Sequence, residues 1–230
     1  MENIHVKKLG LGIALILIYM FVLPLIALKV FQILHLDITN DFIYIMLNLS
    51  VYVFTLVLLL IVYRKSIFKE FLDFLKNFRS FSKIALTYWL QALVFMLLTN
   101  TIIISLTGGI AANEEGNRAI IGFSPIFSIF TMAILGPFLE EMLFRKGFKD
   151  AFSNKKFFLI FTSLLFGAAH MLAAFDPSQF EWSQFLFIIP YAGCGYFFAK
   201  AYWQTNNIFT STLAHMIHNT LSVVLVIFGV

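Results

Sequence analysis

The chain has 230 residues, 60% hydrophobic and 12% charged, with a mean hydropathy of +0.90 and a net charge of +4. A soluble domain carries about 25% charged residues, so this chain has too little polar surface to coat a water-soluble globule. The basic excess does not argue for nucleic acid, because in membrane proteins it collects in cytoplasmic loops.

Taken in chain order, the sequence offers repeated apolar runs long enough to cross a bilayer as an α-helix. Lipid cannot satisfy open backbone groups, which removes strands from consideration. The fold class expected is therefore all-α, a polytopic transmembrane bundle of about seven spans. The first run follows Lys7 and Lys8 and imitates a signal peptide. Leu9 to Leu28 exceeds a usual signal core and has no convincing cleavage site, so it reads as a retained span. The spans fall near 9–34, 42–63, 84–107, 123–152, 157–175, 184–203 and 208–229. Between the second and third, SIFKEFLDFLKNFR spaces Ile67, Phe68, Phe71, Leu72, Phe74, Leu75 and Phe78 as one helical face among lysines. That pattern predicts an interfacial amphipathic helix over 66–79. No repeat or long linker breaks the chain, so 1–230 reads as a single membrane domain. Residues 1–122 supply anchoring helices and 123–229 the motif-bearing core. A lone cysteine, Cys194, permits no internal disulfide and no cysteine metal cluster, and reads as packing.

Lysine and arginine set the orientation. Lys7 and Lys8 precede the first span. Arg64, Lys65, Lys69, Lys76, Arg79 and Lys83 outweigh Glu70 and Asp73 in the second connection, and Lys146, Lys149, Lys155 and Lys156 surround the fourth-to-fifth junction. The alternate loops hold Asp37 and Asp41, then Glu114, Glu115 and Arg118, then Asp176 and Glu181. The bias places the N-terminus in the cytoplasm of a multi-pass cell-membrane protein.

Ionisable groups inside spans cost about 2.5–3.5 kcal/mol each at mid-helix and are functional candidates by default. Three groups stand out. In FLEEMLFRKGF, Glu141 and Arg145 are four apart and share a helix face, while Glu140 points about 100° away. A desolvated carboxylate left outside the pair suits general acid or base work. Pro137 upstream leaves the carbonyl of Ala133 without its usual partner. The spacing also allows the helix to end near Leu139, with all three charges among headgroups. In LLFGAAHML, His170 follows Phe166 by one turn, and Gly167, Ala168 and Ala169 allow a neighbouring helix to approach closely. In TLAHMIHNTL, His215 and Asn219 share a face, with His218 a further candidate. Taken singly, these histidines also fit hydrogen-bonded packing between helices.

Depth offers a test. Counting about 1.5 Å per residue from Lys155/Lys156 and Asn206/Asn207 puts His170 roughly 20 Å deep, His215 roughly 12 Å and Asn219 roughly 18 Å. Glu140 reaches roughly 22 Å if its helix continues through Arg145 to about Phe152. The groups meet at one level only in that case.

The ordered set Glu140-Glu141-x-x-x-Arg145, Phe166-x-x-x-His170 and His215-x-x-x-Asn219 resembles the CPBP intramembrane protease family. That family, also called Abi or CAAX-protease, includes type II CAAX prenyl endopeptidases and bacteriocin-processing or immunity proteins. The resemblance covers roughly 123–229 and implies peptide-bond hydrolysis within the membrane. By it, Glu140 is expected to activate water, with His170 holding that water. His215 and Asn219 are expected to stabilise the oxyanion, and Glu141 with Arg145 to orient the motif helix. Glu140, His170 and His215 with an open water position are also a Zn²⁺ donor set, so a divalent metal and a purely glutamate-driven mechanism both remain open. The expected partners are a peptide or membrane-associated protein substrate and the bilayer. The substrate would be of bacteriocin, signalling or CAAX type, and an inward-facing site would suit its presentation from the cytoplasmic side. A non-catalytic immunity or scaffold protein is the competing class. A transporter is disfavoured because no inverted repeat is visible.

Overall fold

The computed structural model describes residues 4–173 and 181–229. Among the described residues, seven helices are long and apolar enough to span a membrane: α1 (Val6–Ile33), α2 (Asp41–Lys76), α3 (Phe78–Thr107), α5 (Pro125–Lys149), α6 (Lys155–Ala173), α7 (Trp182–Thr205) and α8 (Ile208–Ile227). An eighth helix, α4 (Ala112–Phe123), sits in the connection after α3. The chain is thus an all-α polytopic bundle, with each span within a few residues of its expected place except at the α2–α3 junction. The last two residues expected in the fifth span, and Asp176, lie outside the described residues.

The α2–α3 junction departs from expectation for a simple reason. Residues 66–76 are helical and amphipathic, but they continue α2 without a break, and Asn77 separates its end from α3. The apolar face finds protein rather than only headgroups. Ile67 and Phe74 are buried, and Phe71 and Phe74 lie with ring centroids 5.4 and 6.1 Å from Phe209 of α8. The two acids turn inward as well. Glu70 pairs with Lys146 of α5 and accepts from the first backbone N–H of α8 (Ile208 N, 2.7 Å). Asn207 caps α8 and donates to the Glu70 carbonyl and to Asp73 Oδ2 at 2.7 and 3.0 Å. A carboxylate suits the positive end of a helix, so this network ties α2, α5 and α8 together where the basic residues gather.

Helices meet closely where side chains are small, as expected when packing rather than hydrophobicity drives association in lipid. A Cβ at Gly167 of α6 would sit 3.0 Å from the Ile188 carbonyl, and one at Gly12 of α1 only 2.8 Å from the Gly147 carbonyl. More than half of the most apolar window is buried in α5 and in α7, against 11% in α2 and α3. Helices α5 and α7 are therefore the most enclosed of the spans, and α2 and α3 the most exposed.

Candidate active site

Whether the site can assemble depends on α5, and α5 does continue past Arg145, ending at Lys149. It does so with two π-helical turns, Ile129–Leu135 and Met142–Lys146, flanking the α-helical Gly136–Glu141. Such turns insert an extra residue per turn and often mark functional sites. The first one changes which carbonyl Pro137 orphans. In π register, N–H pairs with the carbonyl five residues back, as Gly136 does with Thr131. The partner missing at Pro137 then belongs to Met132, not Ala133. Asn219 of α8 supplies it, its Nδ2 donating to the Met132 carbonyl at 2.9 Å.

Glu141 and Arg145 pair as their spacing predicts, Oε1 to Nη1 at 3.4 Å, with both side chains fully buried. The guanidinium also donates to the Gly195 carbonyl (3.2 Å) and lies 4.3 Å from the centroid of the Phe166 ring. Gly195 makes room for it, since a Cβ there would sit 3.1 Å from Nη2. The sequence did not reveal that Glu141 holds His215, Nδ1 to Oε1 at 3.0 Å. A carboxylate oxygen accepts, so Nδ1 carries the hydrogen and Nε2 turns to the other side. There it lies 3.7 Å from Glu140 Oε2. The ring is stacked on Phe198 with centroids 4.7 Å apart. Two adjacent glutamates thus flank one imidazole, Glu141 fixing its orientation and Glu140 facing its far nitrogen.

His170 is set in the same manner by its own helix. Its Nδ1 lies 2.9 Å from the Phe166 carbonyl, which can only accept, so Nε2 is left free. Its ring stacks on Tyr191 at 4.6 Å. Among the described residues Glu140 Oε2 has no hydrogen-bond partner, and its side chain is 19% exposed. Glu140, His170 and Asn219 line a cavity of about 520 Å³, and His170, His215 and Asn219 line a smaller one of about 90 Å³. The structure therefore brings Glu140, His170, His215 and Asn219 to a shared pair of cavities, with Glu141 and Arg145 buried behind them.

Phe21, Pro24, Leu47 and Asn48, with Asn113, Asn117 and Ile120 of α4, also line the large cavity. Leu47, Asn48 and the α4 residues lie toward the end of the bundle that carries the acidic loops. Sequence reasoning also passed over Tyr19 and Tyr52, which line this cavity with Glu140. Tyr52 packs against Gly136, one turn before Glu140 on the same face, its ring 3.8 Å from where a Cβ would be. A tyrosine hydroxyl inside an apolar run was the available signal.

Among the described residues, no three His, Cys, Asp or Glu side chains converge as a metal site. Glu140 and His215 approach each other, but the expected zinc set with His170 is not assembled as a ligand triangle.

Residues 122–221 match the family model of Rce1-like type II CAAX prenyl endopeptidases. The chain is 29% identical to the UPF0177 protein YxdF of Lactococcus lactis over 63% of its length and 79% of that protein. It is 30% identical to the membrane-embedded CAAX protease MroQ of Staphylococcus aureus over 61% of its length. The matched part spans 56% of MroQ, little more than half of it. No solved structure matches the chain.

Proposed function

We propose that the chain belongs with the Rce1-like type II CAAX prenyl endopeptidases, whose family model matches residues 122–221, and that it is an intramembrane peptidase working through a glutamate-activated water. The observation that carries this reading is the Glu140 carboxylate, without a hydrogen bond at Oε2 among the described residues, facing a cavity of about 520 Å³ that His170 also lines, with His215 Nε2 3.7 Å away. Water between Glu140 and His170 Nε2 gives a proton to Glu140 as its oxygen bonds to the scissile carbonyl carbon. The oxyanion that forms is met by Asn219, one of whose amide hydrogens remains after the Met132 bond, with His215 Nε2 beside Glu140 as the second group assigned to it. Glu140 then passes its proton to the amide nitrogen as the C–N bond breaks. Preorganised donors aimed at developing charge are usually the largest catalytic contribution, and the Arg145–Glu141–His215 chain is what preorganises them here.

We route no step through a metal, because the three donors do not form a ligand set. The substrate we propose is a small peptide or membrane-associated segment, of bacteriocin, signalling or CAAX type, entering from the acidic end beneath α4. With the N-terminus in the cytoplasm, as the lysine pattern argues, that end is extracytoplasmic.

The test is Glu140→Gln in lipid nanodiscs, incubated with a peptide library and read by mass spectrometry. Cleavage products should fall to background while the thermal transition is retained. Undiminished cleavage sinks the mechanism. An intact cellular role in the same variant would instead favour the immunity or scaffold class.

A further inference from the structure

One cluster of metal-ligating side chains lies outside the proposed chemistry. Cys194 of α7, Met96 of α3 and His218 of α8 meet around the smaller cavity. Cys194 Sγ is 3.5 Å from Met96 Sδ, and Met96 Sδ is 3.2 Å from His218 Nε2. Among the described residues none of the three has a strong competing partner. The other contact of Sγ is the Ala92 carbonyl at 3.8 Å, and His218, only 8% exposed, has no partner at Nδ1. A buried imidazole whose contact is a thioether is unusual, since buried polar groups normally find nitrogen or oxygen partners.

We propose that Met96, Cys194 and His218 form a binding site for one soft monovalent cation of the Cu(I) class. The spacing suits it. Metal–nitrogen and metal–sulfur bonds of about 2.0–2.3 Å, the lengths found at zinc, put neighbouring ligand atoms about 3.3–4 Å apart, so the 3.5 and 3.2 Å contacts need open by only a few tenths of an ångström to admit the ion. The donor types select it too, because thiolate and thioether sulfur favour Cu(I) over the hard divalent ions. Charge gives a third argument. Binding displaces the thiol proton, so one thiolate, a thioether and a neutral imidazole around a monovalent ion sum to zero. A divalent ion would leave a net charge in an apolar interior, which is costly there. The exchange needs no oxidant or reductant: the S–H bond breaks, the S–Cu bond forms and the proton leaves to solvent. Glu140 lines the larger cavity, whereas His170, His215 and Asn219 line the same smaller cavity as this cluster, and His218 lies three residues beyond His215 on α8.

The test uses the full-length protein in detergent under reducing, anaerobic conditions, titrated with Cu(I) against the chromophoric competitor bathocuproine disulfonate. One equivalent should be withdrawn, and X-ray absorption should give two sulfur ligands and one nitrogen. Cys194→Ala and Met96→Leu should each weaken binding by more than about tenfold, the lower bound seen even for groups that only support ligands. Met96→Leu roughly conserves volume and keeps the test readable if Cys194→Ala unfolds. Met216→Leu, on α8 but outside the cluster, should bind as the parent does. Failure of the parent to compete, or unchanged binding in Met96→Leu, overturns the proposal. Peptide cleavage is not read in any arm, so the outcome is separable from the peptidase mechanism.

Discussion

Helices α2 and α5 look alike as apolar runs, yet they live in different places. The best window of α2 has a mean hydropathy of 2.6 and is 11% buried; that of α5 has 1.6 and is 56% buried. The more hydrophobic helix is the more exposed one. Lipid is as apolar as leucine, so greasiness does not pull a span to the centre of a membrane bundle. Polar groups do, because they need partners there. Val53, Phe54, Val57, Leu60 and Ile61 of α2 are exposed, whereas Glu141 and Arg145 of α5 are 0% exposed.

The sharpest way to break this contrast is at Glu140, where activity is expected to vanish without loss of fold. Next in size come the buried charges behind it. Removing one partner of a buried ion pair leaves the other uncompensated, at a cost of about 3–5 kcal/mol. Arg145→Met should therefore destabilise the protein by that order and lower cleavage together with it, read as a drop in the detergent thermal transition. Glu141→Gln keeps an acceptor for His215 and should unfold less readily than Arg145→Met. If Arg145→Met melts like the parent, the pair does not organise the centre.

A smaller effect is expected at Asn219. Its bond to the Met132 carbonyl replaces the hydrogen bond that Pro137 cannot make. Interhelical polar contacts in membranes contribute about 0.6–2 kcal/mol, so Asn219→Leu should lower stability by roughly that much while reducing turnover more strongly. A Pro137→Ala background separates the two roles. There the carbonyl regains a backbone donor, and Asn219→Leu should cost little stability but still impair turnover. An unimpaired turnover would assign Asn219 to helix packing only.

Chelation gives a further contrast. The proposed hydrolysis runs on Glu140 and the two histidines, so 1,10-phenanthroline should leave the cleavage rate within about twofold of its starting value. Loss of activity that zinc restores would return Glu140, His170 and His215 to the role of ligands.

Much of this was legible in the sequence, for identifiable reasons. Spans follow from length and hydropathy, and the i,i+4 relation alone brings Glu141 to Arg145. The Glu141–His215 bond was not legible, because it joins residues 74 apart through a packing choice that no local spacing encodes. The π turns were hidden for a related reason. Pro137 advertised a missing hydrogen bond, but the register that decides which carbonyl lacks it is fixed by packing against α8. Tyr19 and Tyr52 went unnoticed because a tyrosine in a span ordinarily reads as packing. Helix α4 escaped because a segment of 12 residues with two adjacent acids and a glycine looks like a loop.

The smallest effect expected is also the one that tests the opening contrast most directly. Ile61 of α2 is 70% exposed and Leu143 of α5 is 0% exposed, though both are large aliphatic residues in spans. Deleting buried methyl groups leaves a cavity that costs about 2–5 kcal/mol, so Leu143→Ala should lower the thermal transition markedly. Ile61 faces lipid tails, which fill the vacated space themselves, so Ile61→Ala should stay within about 0.5 kcal/mol of the parent. The two variants are compared in the same nanodisc lipid by unfolding in increasing denaturant. Equal destabilisation would mean that α2 is clamped against a second protein surface at Ile61, because lipid alone has no reason to resist the loss.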